Sequence, residues 1–364
     1  MKKTWIGVVV ATCFSVVTEA QPQDTAAAAT VTRAEQSAPL ALVHTIPLPD
    51  VNGWFDHFAE DVQGRRLFLA EEDHKSVEVF DLRTFKSIRR ISGFETPHWI
   101  LYQPQRDELF VTDEDGTVKI FNGKSYRLVE TVKLGEGTDC ITYNPRTNYL
   151  YVAYGGRDAK SHSSSIAIID TATHKHLGDI TIPAARIEGM DVDPSAGRLY
   201  VNMTSKEEVG VVDLNKRSLV ETWSLDLEAD ANVPLRLDAA NHRLFIATRT
   251  PTRFIVINAD TGKVISNLQA GLNADDIFYD PANKRVYLSC GEGFTTVYQQ
   301  EDADHYKFIA RVTTGPDARN SFFSPELDLY FVPTVNRKNR NAALLVYRPR
   351  AVTVNTVPPS RRPQ

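Results

Sequence analysis

One strand-like pattern recurs along the whole chain. In each copy a polar or aromatic residue precedes a leucine or valine, an aromatic residue and a further apolar residue. Short apolar runs of this composition between turn residues predict β-strands. The seven copies begin at Arg66, Glu108, Tyr149, Arg198, Arg243, Arg285 and Asp328. Because successive copies lie 41 to 49 residues apart, the chain is predicted to repeat a unit of four strands.

A second apolar run follows the first within the units and confirms their phase. It alternates with a period of two and ends in Asp or Asn, as in 77–81, 166–170 and 209–213. This alternation is strand spacing, and the following residues, such as 170–173 and 260–263, have hairpin-turn chemistry. A proline turn precedes most copies of the first run. The predicted order is therefore an inner strand, a proline turn, the recurring strand, a loop, a third strand, a tight turn and an outer strand.

The two ends of the repeat complement each other. The seventh unit has no sequence for an outer strand, whereas residues 41–48 form an unassigned strand before the first unit. Pairing the two would close a ring and leave no exposed sheet edge. We therefore predict an all-β fold over residues 41–348: a seven-bladed β-propeller with four-stranded blades, closed by the N-terminal strand.

The repeats resemble those of a known group of proteins. The strands at 149–153 and 198–202, followed by Ile-Ile-Asp at 168–170 and Val-Val-Asp at 211–213, resemble the YVTN repeat of YncE-like and surface-layer β-propellers. The resemblance covers roughly residues 41–348. It implies an exported propeller of a group that includes binding proteins, and the chain is also similar to lactonase-type propellers.

One turn resembles a different propeller group. Residues 260–263, Asp-Thr-Gly-Lys, are similar to a turn of quinoprotein dehydrogenase propellers, in which an outer-strand tryptophan follows. Here the chain continues as Val-Ile-Ser at 264–266. This departure disfavours a pyrroloquinoline quinone enzyme.

The N-terminal segment has the pattern of an export signal. Two lysines precede a short apolar run, and small residues follow it, so residues 1–20 are predicted to be a cleaved signal peptide. A lipoprotein attached at Cys13 is the less favoured alternative. Residues 21–40 are expected to be a disordered linker and residues 349–364 a flexible tail. These features predict a periplasmic or secreted protein with no membrane span.

Charge and cysteine content exclude some classes of function. The net charge of −5 disfavours nucleic acid as a partner, since that would require a basic face. Cys140 and Cys290 lie on different repeats, so no disulfide is predicted. His174 and His176 lie in a hairpin turn and are expected at the surface. Phosphate-binding loops, serine elbows and HExxH pairs are absent from the sequence, and a monomer is expected.

The residues that enter each inner strand are expected to surround the mouth of the central channel. These candidates are Asp56, His57, His98, Asp139, Glu188, Asp275, Asp276, Arg319 and Asn320. His57 and His98 have equivalent positions in adjacent units, so with a nearby carboxylate they can bind a divalent metal. A histidine and a carboxylate can instead act as a general acid–base pair. The remaining alternative is a polar channel that holds only water.

Longer loops are predicted on the same face as this mouth. Their candidate rim residues are His74, Arg157, His162, Arg249 and Arg337. Arginines in such a rim can hold a carboxylate or a sugar acid, although a solvated charged rim is the simpler interpretation. The leading hypothesis is a propeller that binds a small molecule, glycan or protein on this face. The alternatives are a metal-assisted hydrolase or lyase with its site in the mouth of the central channel, for which a divalent metal is the one cofactor indicated, and a surface-layer component.

Overall fold

The computed structural model describes residues 38–225, 230–337 and 340–351. These residues form twenty-eight strands in seven four-stranded antiparallel sheets. The described part of the chain contains no helix that is long and apolar enough to cross a membrane. The predicted signal peptide, most of the predicted linker and most of the predicted tail lie outside the described residues.

Six blades each take their strands from one continuous stretch of chain. Blade 1 contains β2 (Phe58–Asp61), β3 (Arg66–Glu71), β4 (Ser76–Asp81) and β5 (Lys86–Ser92). Blade 2 contains β6 (Pro97–Gln103), β7 (Glu108–Asp113), β8 (Thr117–Asn122) and β9 (Leu128–Lys133). Blade 3 contains β10 (Ile141–Asn144), β11 (Tyr149–Gly155), β12 (Ser164–Asp170) and β13 (Lys175–Ile182).

The next three blades repeat this order. Blade 4 contains β14 (Met190–Asp193), β15 (Arg198–Met203), β16 (Glu208–Asp213) and β17 (Ser218–Ser224). Blade 5 contains β18 (Asp230–Asp238), β19 (Arg243–Thr250), β20 (Thr252–Asn258) and β21 (Val264–Gln269). Blade 6 contains β22 (Ala274–Asp280), β23 (Arg285–Cys290), β24 (Phe294–Gln300) and β25 (Tyr306–Thr313).

Blade 7 joins the two ends of the chain. Its inner three strands are β26 (Phe322–Ser324), β27 (Leu329–Thr334) and β28 (Ala342–Pro349), and its outer strand is β1 (Leu40–Leu48). β1 pairs antiparallel with β28, with Leu40 opposite Pro349 and Leu48 opposite Ala342. The predicted all-β, seven-bladed fold and its closure by the N-terminal strand are therefore confirmed.

The repeated polar residues are explained by the turns. The turn before the second strand of every blade ends in a residue with positive φ: Arg65, Asp107, Asn148, Gly197, His242, Lys284 and Asp328. In five of the seven blades, an Asp or Asn at the start of the turn accepts backbone hydrogen bonds that fix it. In blade 1, for example, the Gly64 amide donates to Asp61 Oδ1 over 2.8 Å. In blades 1 to 5, the Asp or Asn at the end of the third strand does the same in the next turn. In blade 4, for example, the amides of Asn215 and Lys216 donate to Asp213.

The hydrophobic core is divided among the seven contacts between neighbouring blades. Seven clusters of buried side chains each combine residues of two adjacent blades. The aromatic residues of the recurring strand, such as Phe68 and Tyr287, are fully buried in them. Burial of one such side chain stabilises a fold by about 1.5–3 kcal/mol. The outer strands, by contrast, carry mainly exposed residues, which explains why their sequences repeat least.

One expectation about the surface was wrong. His176 is exposed as expected, but His174 is buried, because the turn that carries it packs against blade 2. Its two ring nitrogens lie 2.9 Å from Glu108 Oε2 and 3.0 Å from Glu130 Oε2. The expectation for the cysteines is confirmed: Cys140 and Cys290 are both buried and free.

Candidate functional site

In blades 1, 3 and 4, the inner end presents its polar residues to the channel through the same backbone arrangement. The backbone amides of Asp56, Asp139 and Glu188 each donate to a carbonyl of the second strand of their own blade, over 3.0, 3.0 and 3.1 Å. Since side chains alternate along an extended chain, this shared register directs these three carboxylates toward the same opening. The structure thus brings together residues that are up to 132 positions apart in sequence.

These residues open into a cavity of about 270 Å³ at one mouth of the ring. All seven blades contribute to its wall. The predicted channel and rim residues that line it are Asp56, His57, His98, Asp139, Glu188, Asp275, Arg319, Arg157 and Arg249. Asp276 and Asn320 lie behind this wall and contact its residues. We refer to this cavity as the funnel.

Three side chains from adjacent blades converge in the funnel. Asp56, His98 and Asp139 each offer one ligand atom, and these atoms all lie within 4.8 Å of one another. His98 Nδ1 is 2.8 Å from Asp56 Oδ2. Burial disfavours the imidazolium, but Asp139 and Asp56 outweigh it and raise the pKa of His98 to about 10. Burial, only partly offset by His98, raises the pKa of Asp139 above its usual range.

His57 occupies a different position from His98. Its Nε2 is 3.0 Å from Asp56 Oδ1 and its Nδ1 is 3.1 Å from Asp276 Oδ1, so both ring nitrogens face carboxylates. The ring stacks on Trp99, with 3.5 Å between centroids. Burial lowers the pKa of His57, but Asp276 and Asp56 outweigh it and raise that pKa to about 9. The structure therefore places His57 beside the group of three metal-ligand side chains and outside it.

A second set of charges surrounds Asp275. Arg249 donates to Asp275 Oδ1, and Arg319 Nε lies 2.9 Å from Asp275 Oδ2. Burial raises the pKa of Asp275, although both guanidinium groups oppose this. The side-chain amide of Asn320 donates through Nδ2 to Asp275 and to Asp56, over 3.3 Å in each case. This amide connects the arginine side of the funnel with the histidine side.

Two glutamates complete the wall. Burial and the nearby charge of Asp139 raise the pKa of Glu188 to about 7, although Arg186 donates to its carboxylate. Burial and Asp56 raise the pKa of Glu72 to about 7. Glu72 Oε2 is buried without a hydrogen-bond partner in the described structure. The funnel thus holds more carboxylates than the arginines around it can pair.

The predicted rim residues divide into two groups. Arg157 and Arg249 line the funnel, whereas His74, His162 and Arg337 do not. Arg337 forms an ion pair with Asp317 and lies over the ring of Trp54. It is exposed, as is His162.

The sequence did not indicate the aromatic part of the channel. A second cavity of about 420 Å³ continues along the axis beyond the stacked pair of His57 and Trp99. Its wall includes Phe58, Phe278 and Phe322. These residues belong to inner strands, whose apolar positions look the same in sequence whether they face a neighbouring blade or the channel.

The chain matches no established family profile. It is 24% identical over 144 residues to the uncharacterized protein YncE of Salmonella typhi, and the match covers 39% of each chain. The YncE protein of Salmonella typhimurium matches with the same identity and coverage. The matched part therefore spans about two fifths of the length of these relatives.

Solved structures share the architecture over nearly the whole chain. A structure of hydrazine synthase from Kuenenia stuttgartiensis contains a chain with a TM-score of 0.68 at 18% identity, covering 84% of this chain and 97% of that chain. A chain of the mitotic checkpoint complex has a TM-score of 0.70 at 13% identity, covering 94% of this chain and 98% of that chain. At these identities the likeness concerns the fold alone.

Fold and site together define a seven-bladed β-propeller with a polar funnel at one mouth of its channel. The match to YncE over 144 residues supports the resemblance found in the repeats, and the chain is a seven-bladed β-propeller that is similar to YncE.

Proposed function

We propose that this chain is an exported propeller that binds a small polar molecule in the funnel. The observation that carries the proposal is that all seven blades contribute side chains, most of them polar, to one cavity of about 270 Å³. This volume lies just below the range of about 300–1,000 Å³ that is typical of small-molecule sites. It would accommodate a ligand the size of an amino acid, a monosaccharide or a sugar acid. A longer glycan or a protein would enter the funnel with one such group only.

The mixed charges of the funnel support a ligand with several polar groups. Arg249 and Arg319 offer guanidinium donors, which bind carboxylates well, and Asp139 and Glu72 offer acceptors. The large exposed apolar side chains, by contrast, lie mostly on outer strands, such as Ile88 on β5 and Phe308 on β25. These features favour a polar ligand that the funnel recognises by hydrogen bonds over an apolar partner that binds on the outer strands.

Thermal unfolding and native mass spectrometry would test this proposal. The full chain would be screened against amino acids, neutral monosaccharides and sugar acids. We expect a member of one class to bind and to raise the unfolding temperature, and Arg319→Ala to weaken its binding by about tenfold or more, as loss of a charged hydrogen bond does. Arg337→Ala is the matched control, because Arg337 is an exposed arginine that does not line the funnel. Equal binding by the two variants would contradict the proposal.

A metal-assisted hydrolase or lyase is the second candidate, and the convergence of Asp56, His98 and Asp139 favours it. A cation held there would polarise the carbonyl of a sugar lactone and the attacking water. Water would add to that carbonyl and the ring C–O bond would break, giving the hydroxy acid. Assays of lactone hydrolysis with added Mn²⁺ or Zn²⁺, on wild type and His98→Gln, would test this. Turnover that is unchanged in the variant would reject a reaction at this site.

A further inference from the structure

The inner ends of blades 1, 2 and 3 hold three metal-ligand side chains in fixed positions. The amides of Asp56 and Asp139 are each bound to a carbonyl of their own blade over 3.0 Å. The His98 carbonyl accepts a hydrogen bond from the His57 amide over 3.2 Å, which connects blade 2 to blade 1. The side chains therefore meet because of the closed ring, and no local loop needs to fold around a ligand for them to do so.

The carboxylates at this point have hydrogen-bonding capacity that the protein does not use. Within the described part of the chain, the carboxylate of Asp139 accepts no hydrogen bond and forms no ion pair. Glu72, which lines the same funnel, has a buried oxygen without a partner. Buried carboxylates are normally paired or bound to a metal, because their desolvation is costly. Asp139 and Glu72 are therefore two acceptors that face the funnel and have unused capacity.

From this geometry we infer that Asp56, His98 and Asp139 bind one divalent transition-metal cation at the base of the funnel. The imidazole and two carboxylates form a mixed nitrogen and oxygen set, which suits Zn²⁺ or Mn²⁺. Ca²⁺ prefers about six to eight oxygen ligands and Mg²⁺ a nearly regular octahedron of oxygens, so both fit less well. Three protein ligands leave positions open toward the funnel.

The neighbouring residues have the arrangement expected around such a site. His57 Nε2 is 3.0 Å from Asp56 Oδ1, on the oxygen that does not contact His98. Outer partners of this kind orient a ligand carboxylate. Glu72 lies outside the group of three, so it would contribute charge or hold a metal-bound water.

Metal binding by the full chain would test the inference without any organic ligand. The chain would be treated with a chelator, dialysed and titrated by calorimetry with ZnCl₂, MnCl₂, CaCl₂ or MgCl₂ separately. We expect stoichiometric binding of Zn²⁺ or Mn²⁺, tighter than that of Ca²⁺ and Mg²⁺. Asp139→Asn and His98→Gln should each weaken this binding by about 100-fold or more.

Asp158→Asn is the matched control, because Asp158 also lines the funnel but is half-exposed and paired with Arg157. It should bind the metal as wild type does. The metal-free Asp139→Asn chain should unfold cooperatively at a temperature close to that of the metal-free wild type, which separates loss of the site from loss of the fold. Absence of stoichiometric binding to wild type, or equal binding by Asp139→Asn and Asp158→Asn, would overturn the inference. Either result would leave the proposal of ligand binding in the funnel to be decided by its own experiment.

Discussion

Acidic residues of this propeller have two roles that their sequence context does not separate. Asp213 ends a third strand and accepts the amides of the following turn, so it stabilises the hairpin. Asp139 precedes an inner strand, and its carboxylate accepts no hydrogen bond from a nearby backbone amide. The first role is local, and an Asp or Asn fills it at the same position of blades 1 to 5. The second depends on side chains from other blades, which only the closed ring brings near.

His174 shows how a neighbouring blade decides the role of a residue. We expect His174→Asn to lower the free energy of unfolding by about 1–3 kcal/mol, because it removes the buried imidazole between Glu108 and Glu130. Asparagine tolerates the positive φ of this position, so backbone strain is not the cause. His176→Asn, two residues away at the surface, should change stability by less than about 0.5 kcal/mol. Urea unfolding of the three proteins would measure the difference, and similar values for both variants would contradict this view of His174.

Glu60 provides a test based on pH. Burial raises the pKa of Glu60 to about 7, and its Oε2 has no partner in the described structure. The folded protein therefore binds the carboxyl proton of Glu60 more tightly than the unfolded chain does. The contribution of Glu60 to the free energy of unfolding falls as pH rises from about 4.5 to about 7. Glu60→Gln should match wild type near pH 5 and exceed it by about 2 kcal/mol near pH 8. Parallel unfolding profiles across this range would show that the carboxylate ionises without penalty.

At the scale of strands and turns, the contact between blades 4 and 5 depends on one glycine. Gly262 has φ +71°, and a Cβ at this position would lie 2.2 Å from Trp223 of β17. No tryptophan follows the turn at 260–263 in sequence. The tryptophan that packs against this turn is instead Trp223, from the outer strand of the preceding blade. A search restricted to the residues directly after this turn misses it. Neighbouring blades pack through elements that are about one repeat apart, so the partner tryptophan precedes the turn in sequence.

A matched pair of glycine substitutions would measure this contact. Gly262→Ala should destabilise the fold by about 1–3 kcal/mol more than Gly197→Ala. Gly197 has a similar φ of +66°, but its nearest neighbour would be 3.4 Å from the new Cβ, so it carries the backbone strain without the clash. Thermal unfolding monitored by the fluorescence of Trp223 and the other tryptophans would report both. Equal losses would mean that Trp223 moves aside at little cost.

The sequence predicts the elements of this fold better than it predicts the site. Strands β3, β7 and β11 could be recognised because each repeat must bury the same face against its neighbours, which imposes the same pattern seven times. The mouth residues could be named from that phase as well. The contacts among these residues could not be predicted. Whether Asp56 lies against His98 or against Asp139 depends on side-chain geometry between blades, and the spacing of residues within one repeat does not determine that geometry.

At the scale of the molecule, the ring depends on β1. Blade 7 takes its other three strands from the C-terminal side of the chain, and β1 comes from the N-terminal side. β1 pairs with β28 along its full length and buries Leu40, Ile46 and Leu48. Leu40 packs in the cluster between blades 6 and 7, and the other two pack in the cluster between blades 7 and 1. Loss of this strand would therefore expose the edge of β28 and weaken two of the seven contacts between blades at once.

A comparison of two truncated chains would test this dependence. A chain beginning at residue 49 should unfold at a lower urea concentration than one beginning at Ala38, and it should associate through the open edge of β28, because an unpaired strand is a template for another chain. A synthetic peptide of residues 38–50 should bind the shorter chain and restore the monomer. Ile46→Ala in that peptide should weaken the rescue, since Ile46 is buried, whereas Val43→Ala should not, since Val43 is 43% exposed. If the shorter chain were monomeric and as stable as the longer one, the contacts between blades alone would hold the ring, and closure by β1 would be dispensable.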